Sequence, residues 1–277
     1  MSVNFIDDNK PLEQPMLEII HANFGWLHAP PLPPASCHGL ILRQADRVVL
    51  VDTGIGMHDI ENPLERIGQE AIGAAGFQFI RDCTAIAQIT NLGLPSENVT
   101  DIVLTHGDHD HVGGLADFPD ARVHVSAEEL AEIKAGNPRY SAEQFSHGVN
   151  WIKYGANDCE WFELPSRKID LDVDADVRLI WLPGHTLGHC GVAIETSDRK
   201  VLYVGDAYYL RGELEDREHP IEELATIRAE DNAARLNSLE RLISFKREHS
   251  TEVEVFGYHD TQELPESIPG IDDFAKE

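Results

Sequence analysis

Histidine and aspartate side chains are concentrated in one short stretch of the chain. The segment Thr105–Gly114, THGDHDHVGG, places three imidazoles and two carboxylates within six positions. Such a concentration of ionisable groups is costly unless a cation neutralises it. Imidazole together with carboxylate suits zinc, manganese or iron better than calcium. We therefore interpret His106, Asp108, Asp110 and His111 as candidate metal ligands.

Three further candidate ligands lie far along the chain, and each follows a predicted strand. His185 comes after LPG, Asp206 after YVG, and His259 after FGY. The turn at Asp52 and the histidine-rich segment also follow apolar runs. Because the loops at strand ends converge on one edge of a layered α/β fold, we expect these side chains to meet there.

Alternating strands, hairpins and helices predict a mixed sheet or a sandwich with outer helices. The predicted strands cover residues 16–20, 38–43, 47–52, 99–105, 122–126, 177–182, 191–196, 200–205 and 253–256. The predicted helices cover residues 77–92, 127–135 and 222–248, with Ser126 as the N-cap of the second. The aromatic-containing segment 136–160 is expected to form either a lid or a satellite cluster.

These motifs, in this order, resemble the signature of the metallo-β-lactamase superfamily. The family pattern reads T-H-x-H-x-D-H-x-x-G, then P-G-H-T-x-G-H, then a strand ending in G-D, then a late histidine. The corresponding segments here are Thr105–Gly114, Pro183–His189, Gly205-Asp206 and Tyr258–Asp260, preceded by the turn Asp52–Gly54. Agreement at five ordered places is specific. The resemblance runs from about residue 16 to 260 and implies an α/β protein with an αββα sandwich. Because no low-complexity stretch or repeat divides the chain, we interpret residues 1–277 as a single domain.

The resemblance also implies a centre for two divalent metal ions, with zinc favoured and manganese or iron as alternatives. Residue by residue, site one comprises His106, Asp108 and His185, site two comprises Asp110, His111 and His259, and Asp206 bridges the two. His189 belongs to the same motif, and we expect it to support a ligand rather than to bind metal.

Asp108 departs from the family pattern, which has histidine at this position. With three carboxylates, two divalent ions and a bridging hydroxide, the centre would be neutral, whereas the usual site carries one positive charge. The hypothesis is that Asp108 lowers the Lewis acidity of the metal ion in site one and favours harder ions such as manganese or iron. Two alternatives are that site one is weakly occupied, or that the loop shifts and His109 binds instead. We favour Asp108, because the spacing to the next ligands is then undisturbed.

The reaction implied by the resemblance is hydrolysis of a small-molecule lactone or ester. Two ions lower the pKa of a shared water, and the hydroxide attacks the carbonyl carbon. Asp110 orients this hydroxide and passes a proton to the leaving group. The segment Asp206–Tyr209 is similar to the acyl-homoserine lactonase branch, which makes Tyr209 a candidate donor to the carbonyl oxygen. The alternative is that Tyr208 or Tyr209 only packs beside the metals.

Other function classes fit the same ligands. A thioester hydrolase of the glyoxalase II type would want basic residues for an anionic substrate, and the sequence shows no basic cluster near the motifs. A persulfide dioxygenase would use one iron in this fold. A metal-stabilised binding protein without turnover is disfavoured by Asp110 and Asp206, because both belong to the hydroxide-handling pattern.

Composition excludes several partners. With 22 basic and 49 acidic residues the formal charge is −27, which disfavours nucleic acid, anionic membranes and strongly anionic substrates. The polar N-terminus has no signal-peptide pattern, and the chain has no apolar run near the roughly 20 residues of a membrane span. The four cysteines are scattered along the chain, and without an export signal we expect them to be reduced. We therefore predict a cytoplasmic protein. The oligomeric state stays open.

Overall fold

Two β-sheets pack face to face in the computed structural model, which describes residues 15–274. The first sheet has the strand order β4-β1-β2-β3-β5-β6-β7. Its strands are β1 (Glu18–Leu27), β2 (Ala35–Gln44), β3 (Arg47–Val51), β4 (Phe77–Gln78), β5 (Val99–Val103), β6 (Arg122–Ser126) and β7 (Asn150–Tyr154). Strands β1, β2 and β3 are antiparallel, whereas β3, β5, β6 and β7 run parallel. The sheet is therefore mixed, as the sequence predicts.

The second sheet has the strand order β13-β12-β11-β10-β9-β8. Its strands are β8 (Cys159–Trp161), β9 (Leu164–Ile169), β10 (Asp176–Trp181), β11 (Cys190–Glu195), β12 (Lys200–Tyr203) and β13 (Glu254–Phe256). Neighbouring strands are antiparallel except β12 and β13, which run parallel. The C-terminal ends of these two strands consequently meet at one edge.

The helices pack outside the sheets. They are α1 (Met57–Glu61), α2 (Pro63–Arg66), α3 (Gln69–Ala75), α4 (Ala85–Asn91), α5 (His109–Val112), α6 (Ala127–Ala135), α7 (Glu222–Arg228) and α8 (Asn232–His249). Within residues 15–274, none of these helices combines the length and the apolar character that a bilayer crossing requires.

Alternation along β11 and β12 shows how the layers are held together. Val192 and Val201 belong to the core between the sheets, whereas Ala193 and Leu202 belong to a second core that also contains Leu239. Successive side chains of a strand point to opposite faces, so one face of this sheet packs on the other sheet and the opposite face packs under α8. The predicted αββα sandwich is confirmed.

Two predicted helices differ from the structure. The helix expected over 77–92 begins only at Ala85, because residues 77–78 pair with β1 and the Thr84 side chain caps the helix by accepting from Ala87 N. The helix expected over 222–248 is divided into α7 and α8. Between them, the backbone N–H groups of Glu230 and Asp231 donate to the carbonyls of residues 185 and 184. The break therefore ties the helical layer to the loop that carries His185.

Residues 136–160 contribute to the sandwich rather than forming a separate unit. Their strand β7 pairs with β6 at the edge of the first sheet, and Phe145, Trp151 and Tyr154 pack against the core cluster that contains Val123 and Val125 of β6. Tyr140 is buried near the histidine-rich segment. The segment thus also carries residues to the site.

Candidate metal centre

The first half of the site is fixed by a buried carboxylate at the end of β3. Asp52 Oδ2 lies 2.9 Å from His111 Nδ1 and accepts hydrogen bonds from Thr105 Oγ1 at 2.8 Å and from the Tyr203 hydroxyl at 2.7 Å. Thr105 Oγ1 lies 3.0 Å from His106 Nδ1. With both Nδ1 atoms serving as donors, the Nε2 lone pairs of His106 and His111 are left free to bind a cation.

The second half of the site comes from loops that follow β10, β12 and β13. His259 Nδ1 donates to the Ser36 carbonyl at 2.9 Å, which directs Nε2 toward Asp206 Oδ2 at 3.2 Å. His185 Nε2 lies 3.3 Å from the same oxygen, and the other carboxylate oxygen, Oδ1, lies 3.3 Å from His111 Nε2. Asp206 therefore lies between histidines of both halves, the position that a bridging ligand needs.

Backbone contacts hold these loops in place. His189 Nδ1 donates to the Leu182 carbonyl at 2.9 Å, and its Nε2 accepts from Asp206 N at 3.1 Å. Burial lowers the pKa of His189 to about 4, so the ring is neutral. Gly184 has a φ of +134°, and an added Cβ would lie 2.0 Å from Arg235 N. His189 thus positions Asp206. At position 184 only glycine fits, because a side chain there would collide with the backbone of α8.

The nitrogen and oxygen donors form three overlapping groups, each with its atoms within 4.8 Å of one another. The groups are His106, Asp108 and His185; His106, His111 and Asp206; and Asp110, His111 and His259. All seven ligands predicted from the sequence occur in these groups, whereas His109 occurs in none of the groups found among residues 15–274.

Three donor atoms in the centre of the site are buried and have no hydrogen-bond partner among the described residues. They are His106 Nε2, His111 Nε2 and Asp206 Oδ1. Leaving buried polar atoms unpaired costs about 1–3 kcal/mol each, so this arrangement calls for a cation. Imidazole nitrogens and a carboxylate oxygen are suitable ligands for zinc, manganese or iron. The residues present therefore fit a divalent metal ion.

Asp110 lies at the solvent side of the centre. Its Oδ2 is 3.7 Å from His259 Nε2 and 4.0 Å from His111 Nε2. The Tyr258 hydroxyl donates to the Asp110 carbonyl, and the Tyr258 ring stacks on His111 with centroids 3.8 Å apart. Tyr258 thus holds the short helix α5 and, with it, two ligand-bearing positions.

Asp108 forms an ion pair that the sequence analysis missed. Its Oδ1 accepts from Arg139 Nε at 2.5 Å, and its Oδ2 accepts from Arg139 Nη2 at 2.6 Å. Despite the opposing effect of burial, Arg139 holds the pKa of Asp108 well below its ordinary value. Arg228 Nη2 is 3.7 Å from Asp108 Oδ2. Arg139 and Arg228, which stand far from the motif in the sequence, therefore meet at Asp108 in the folded protein.

The two adjacent tyrosines face different surroundings. The Tyr209 hydroxyl lies 3.4 Å from His185 Nδ1, and its ring centroid is 5.4 Å from that of His259. Tyr208 is buried and donates its hydroxyl to the Glu263 carboxylate at 3.0 Å. Only Tyr209 of this pair borders the metal ligands.

Glu129 connects the two histidine-bearing loops and was also missed. Its carboxylate accepts from Gly107 N at 2.7 Å, from the Tyr140 hydroxyl at 2.8 Å and from Thr186 Oγ1 at 2.6 Å. Burial raises the pKa of this carboxyl to about 7, although the three hydrogen bonds oppose that rise. Gly107 adjoins His106, and Thr186 adjoins His185, so the Glu129 carboxylate joins the loops that carry these two histidines.

Comparison with curated proteins gives related hydrolases. A probable metallo-hydrolase of Mycobacterium tuberculosis is 34% identical over 259 residues, which cover 89% of this chain and 81% of the relative. An N-acyl homoserine lactonase of Bacillus cereus is 26% identical over 186 residues, which cover 66% of this chain and 67% of the lactonase.

Comparison with solved structures and family profiles agrees with the fold. The structure of an N-acyl homoserine lactone hydrolase with N-hexanoyl-L-homoserine bound at its catalytic metal centre superposes with a TM-score of 0.66 at 19% identity. The match covers 91% of this chain and 95% of that one. The profile of the metallo-beta-lactamase superfamily matches residues 32–248. The chain belongs to the metallo-β-lactamase superfamily and is a metal-dependent hydrolase.

Proposed function

We propose that this hydrolase opens lactones or cleaves small esters of low charge. The observation that carries the proposal is the hydroxyl of Tyr209, 3.4 Å from His185 Nδ1 and beside the metal-ligand groups. A hydroxyl at this place can donate to a substrate carbonyl oxygen that becomes negative as the carbonyl carbon is attacked. The lactonase relative from Bacillus cereus supports this choice of substrate class.

The seven ligand residues would hold up to two divalent ions, which is the dinuclear arrangement that the sequence predicts. When bound, divalent ions there supply Lewis acidity and lower the pKa of a coordinated water. Asp206 lies between His111, His185 and His259, so it is the residue that both ions would share.

Asp110 is the proposed proton carrier. Its side chain is 13% exposed, whereas the Asp206 side chain is 4% exposed, so Asp110 is the carboxylate that can reach a substrate. It accepts the proton of the attacking water and returns that proton to the leaving oxygen of the ring or ester. Tyr258 supports this role because its hydroxyl holds the Asp110 carbonyl.

A thioester hydrolase is the second candidate, and Arg228 is the observation that favours it. Arg228 is about half exposed and approaches Asp108 at the site, so it offers a charge for an anionic acyl carrier. The net charge of −27 acts against such substrates at longer range. We rank the thioester reaction second for that reason.

Metal-reconstituted protein is expected to hydrolyse one class within a panel of acyl-homoserine lactones, simple lactones, aryl esters and acyl thioesters. The matched control is Asp110→Asn, which keeps the shape of the side chain and removes its basicity. Turnover of lactones or esters that disappears in the control supports the proposal. Turnover of thioesters alone, or no turnover by metal-loaded protein, rejects it.

The paired tyrosines allow a finer test. Tyr209→Phe is expected to lower kcat by about 100-fold, because one oxyanion donor is worth roughly that much, while metal content and KM change little. Tyr208→Phe removes the same atom from a hydroxyl that faces Glu263, and its kcat should match that of the wild type. Steady-state kinetics with elemental analysis distinguishes the two, and equal losses in both variants would remove Tyr209 from the proposal.

A further inference from the structure

A guanidinium group from the chain itself lies in the donor group assigned to site one. Arg139 Nη2 is 2.6 Å from Asp108 Oδ2 and 2.7 Å from His185 Nε2, and Nε is 2.5 Å from Asp108 Oδ1. Two of the three members of this group therefore direct their metal-binding atoms at Arg139. A bidentate arginine–carboxylate pair is among the strong charge-assisted hydrogen bonds of proteins.

Arg139 is held in this position from several sides. Its Nη1 donates to the Arg228 carbonyl at 2.7 Å, and its backbone N–H donates to Asn137 Oδ1 at 3.0 Å. Tyr140, the next residue, is buried with its hydroxyl on Glu129. The Arg139 side chain is only 12% exposed. It is thus packed into the protein rather than lying on its surface.

The rest of the centre has the opposite character. His111 Nε2 and Asp206 Oδ1, which lie outside the donor group of Asp108, are buried without a partner among residues 15–274. His106 Nε2, which belongs to this group and also to that of Asp206, is likewise buried without a partner there. The unpaired donor atoms around Asp206 therefore still require a cation, whereas Arg139 already neutralises Asp108. An arginine stays charged at every accessible pH, so its positive charge also repels a divalent ion placed within a few ångströms.

We propose that Arg139 competes with a metal ion for the donor group of His106, Asp108 and His185. The protein then binds one divalent ion tightly, at the donors around Asp206, His111 and His259, and a second ion only weakly. Asp108, which replaces the histidine of the family pattern, and Arg139 act together as a neutral pair. The inference rests on the metal centre of the proposed function, and its test uses no substrate.

The experiment titrates metal-free protein with Zn²⁺ in competition with a chromophoric chelator. The wild type should bind one equivalent tightly and a second about 100-fold more weakly, the upper range for groups that tune metal ligands. Arg139→Met should bind two equivalents of similar affinity. Arg228→Met is the matched control, because Arg228 also approaches Asp108 but is half exposed, and it should keep the wild-type pattern.

A spectroscopic measurement reports whether two bound ions lie close to each other. Electron paramagnetic resonance of wild-type protein with two equivalents of Mn²⁺ should show isolated ions, whereas the double variant Asp108→His with Arg139→Met should show a spin-coupled pair. A wild type with two equally tight, coupled ions would overturn the proposal. So would Arg139→Met or the double variant remaining at one tight equivalent. Neither result depends on whether lactones are substrates. The substrate panel therefore tests the proposed function separately from this inference.

Discussion

Replacing Asp206 with asparagine is expected to release metal and to reduce kcat/KM by on the order of 10³-fold. The carboxylate lies 3.2–3.3 Å from Nε2 of His111, His185 and His259. Asparagine keeps the shape but removes the negative charge that holds a cation among these three imidazole rings. Metal contributes several kcal/mol to stabilising the transition state, and each loss of about 1.4 kcal/mol lowers the rate tenfold.

The measurement is elemental analysis after dialysis, followed by kinetics on the best substrate of the panel. Asp198→Asn is the matched control, because it makes the same charge change in the exposed turn between β11 and β12. This control should retain full metal content and activity. An Asp206→Asn variant with wild-type metal content and activity within a few-fold would contradict the bridging assignment.

The clustering of the proposed ligands was predictable because each one stands in a local pattern. Thr105–Gly114 follows the apolar strand β5, and His185, Asp206 and His259 follow β10, β12 and β13. Within each sheet, a parallel pair, β3–β5 or β12–β13, brings the C-terminal ends of two neighbouring strands to the same edge. The periodicity of a strand and the position of its end are properties of a short segment, so both can be predicted from the sequence.

Arg139 and Glu129 were not predictable, because their roles depend on contacts between distant segments. Arg139 lies 31 residues after Asp108 and follows an Asn-Pro pair outside any motif. Glu129 stands in the first turn of an ordinary amphipathic helix and meets Thr186 across 57 residues. The only sequence signal for Arg139 is indirect: an additional carboxylate at Asp108 requires a compensating charge, and the sequence does not say which residue provides it.

The division of the predicted helix 222–248 has a similar origin. Its residues form helices on both sides of residues 229–231, but the backbone there donates to the His185 loop instead. Asp231 then caps α8 by accepting from Ala234 N at 2.9 Å. Tertiary hydrogen bonds therefore outweigh helix continuity at this point. The break also sets Arg228 at the end of α7, beside Asp108.

Glu129→Ala is expected to lower the free energy of unfolding by about 3–5 kcal/mol in metal-free protein. The substitution leaves three buried groups without an acceptor, namely Gly107 N–H and the hydroxyls of Tyr140 and Thr186. Unpaired buried donors cost about 1–3 kcal/mol each, and a cavity adds to the loss. Urea denaturation monitored by tryptophan fluorescence measures the effect.

Glu129→Gln provides the matched comparison, because its amide oxygen still accepts at the position of Oε1 and the Thr186 hydroxyl can rotate to accept from its NH₂ group. Its loss should stay below about 1.5 kcal/mol, near the cost of exchanging one hydrogen bond for another. If Glu129 fixes the distance between the two histidine loops, the alanine variant should also bind zinc 10–100-fold more weakly, a typical effect of removing a group that orients ligands. A destabilised alanine variant with unchanged zinc affinity would show that Glu129 supports the fold without positioning the metal ligands.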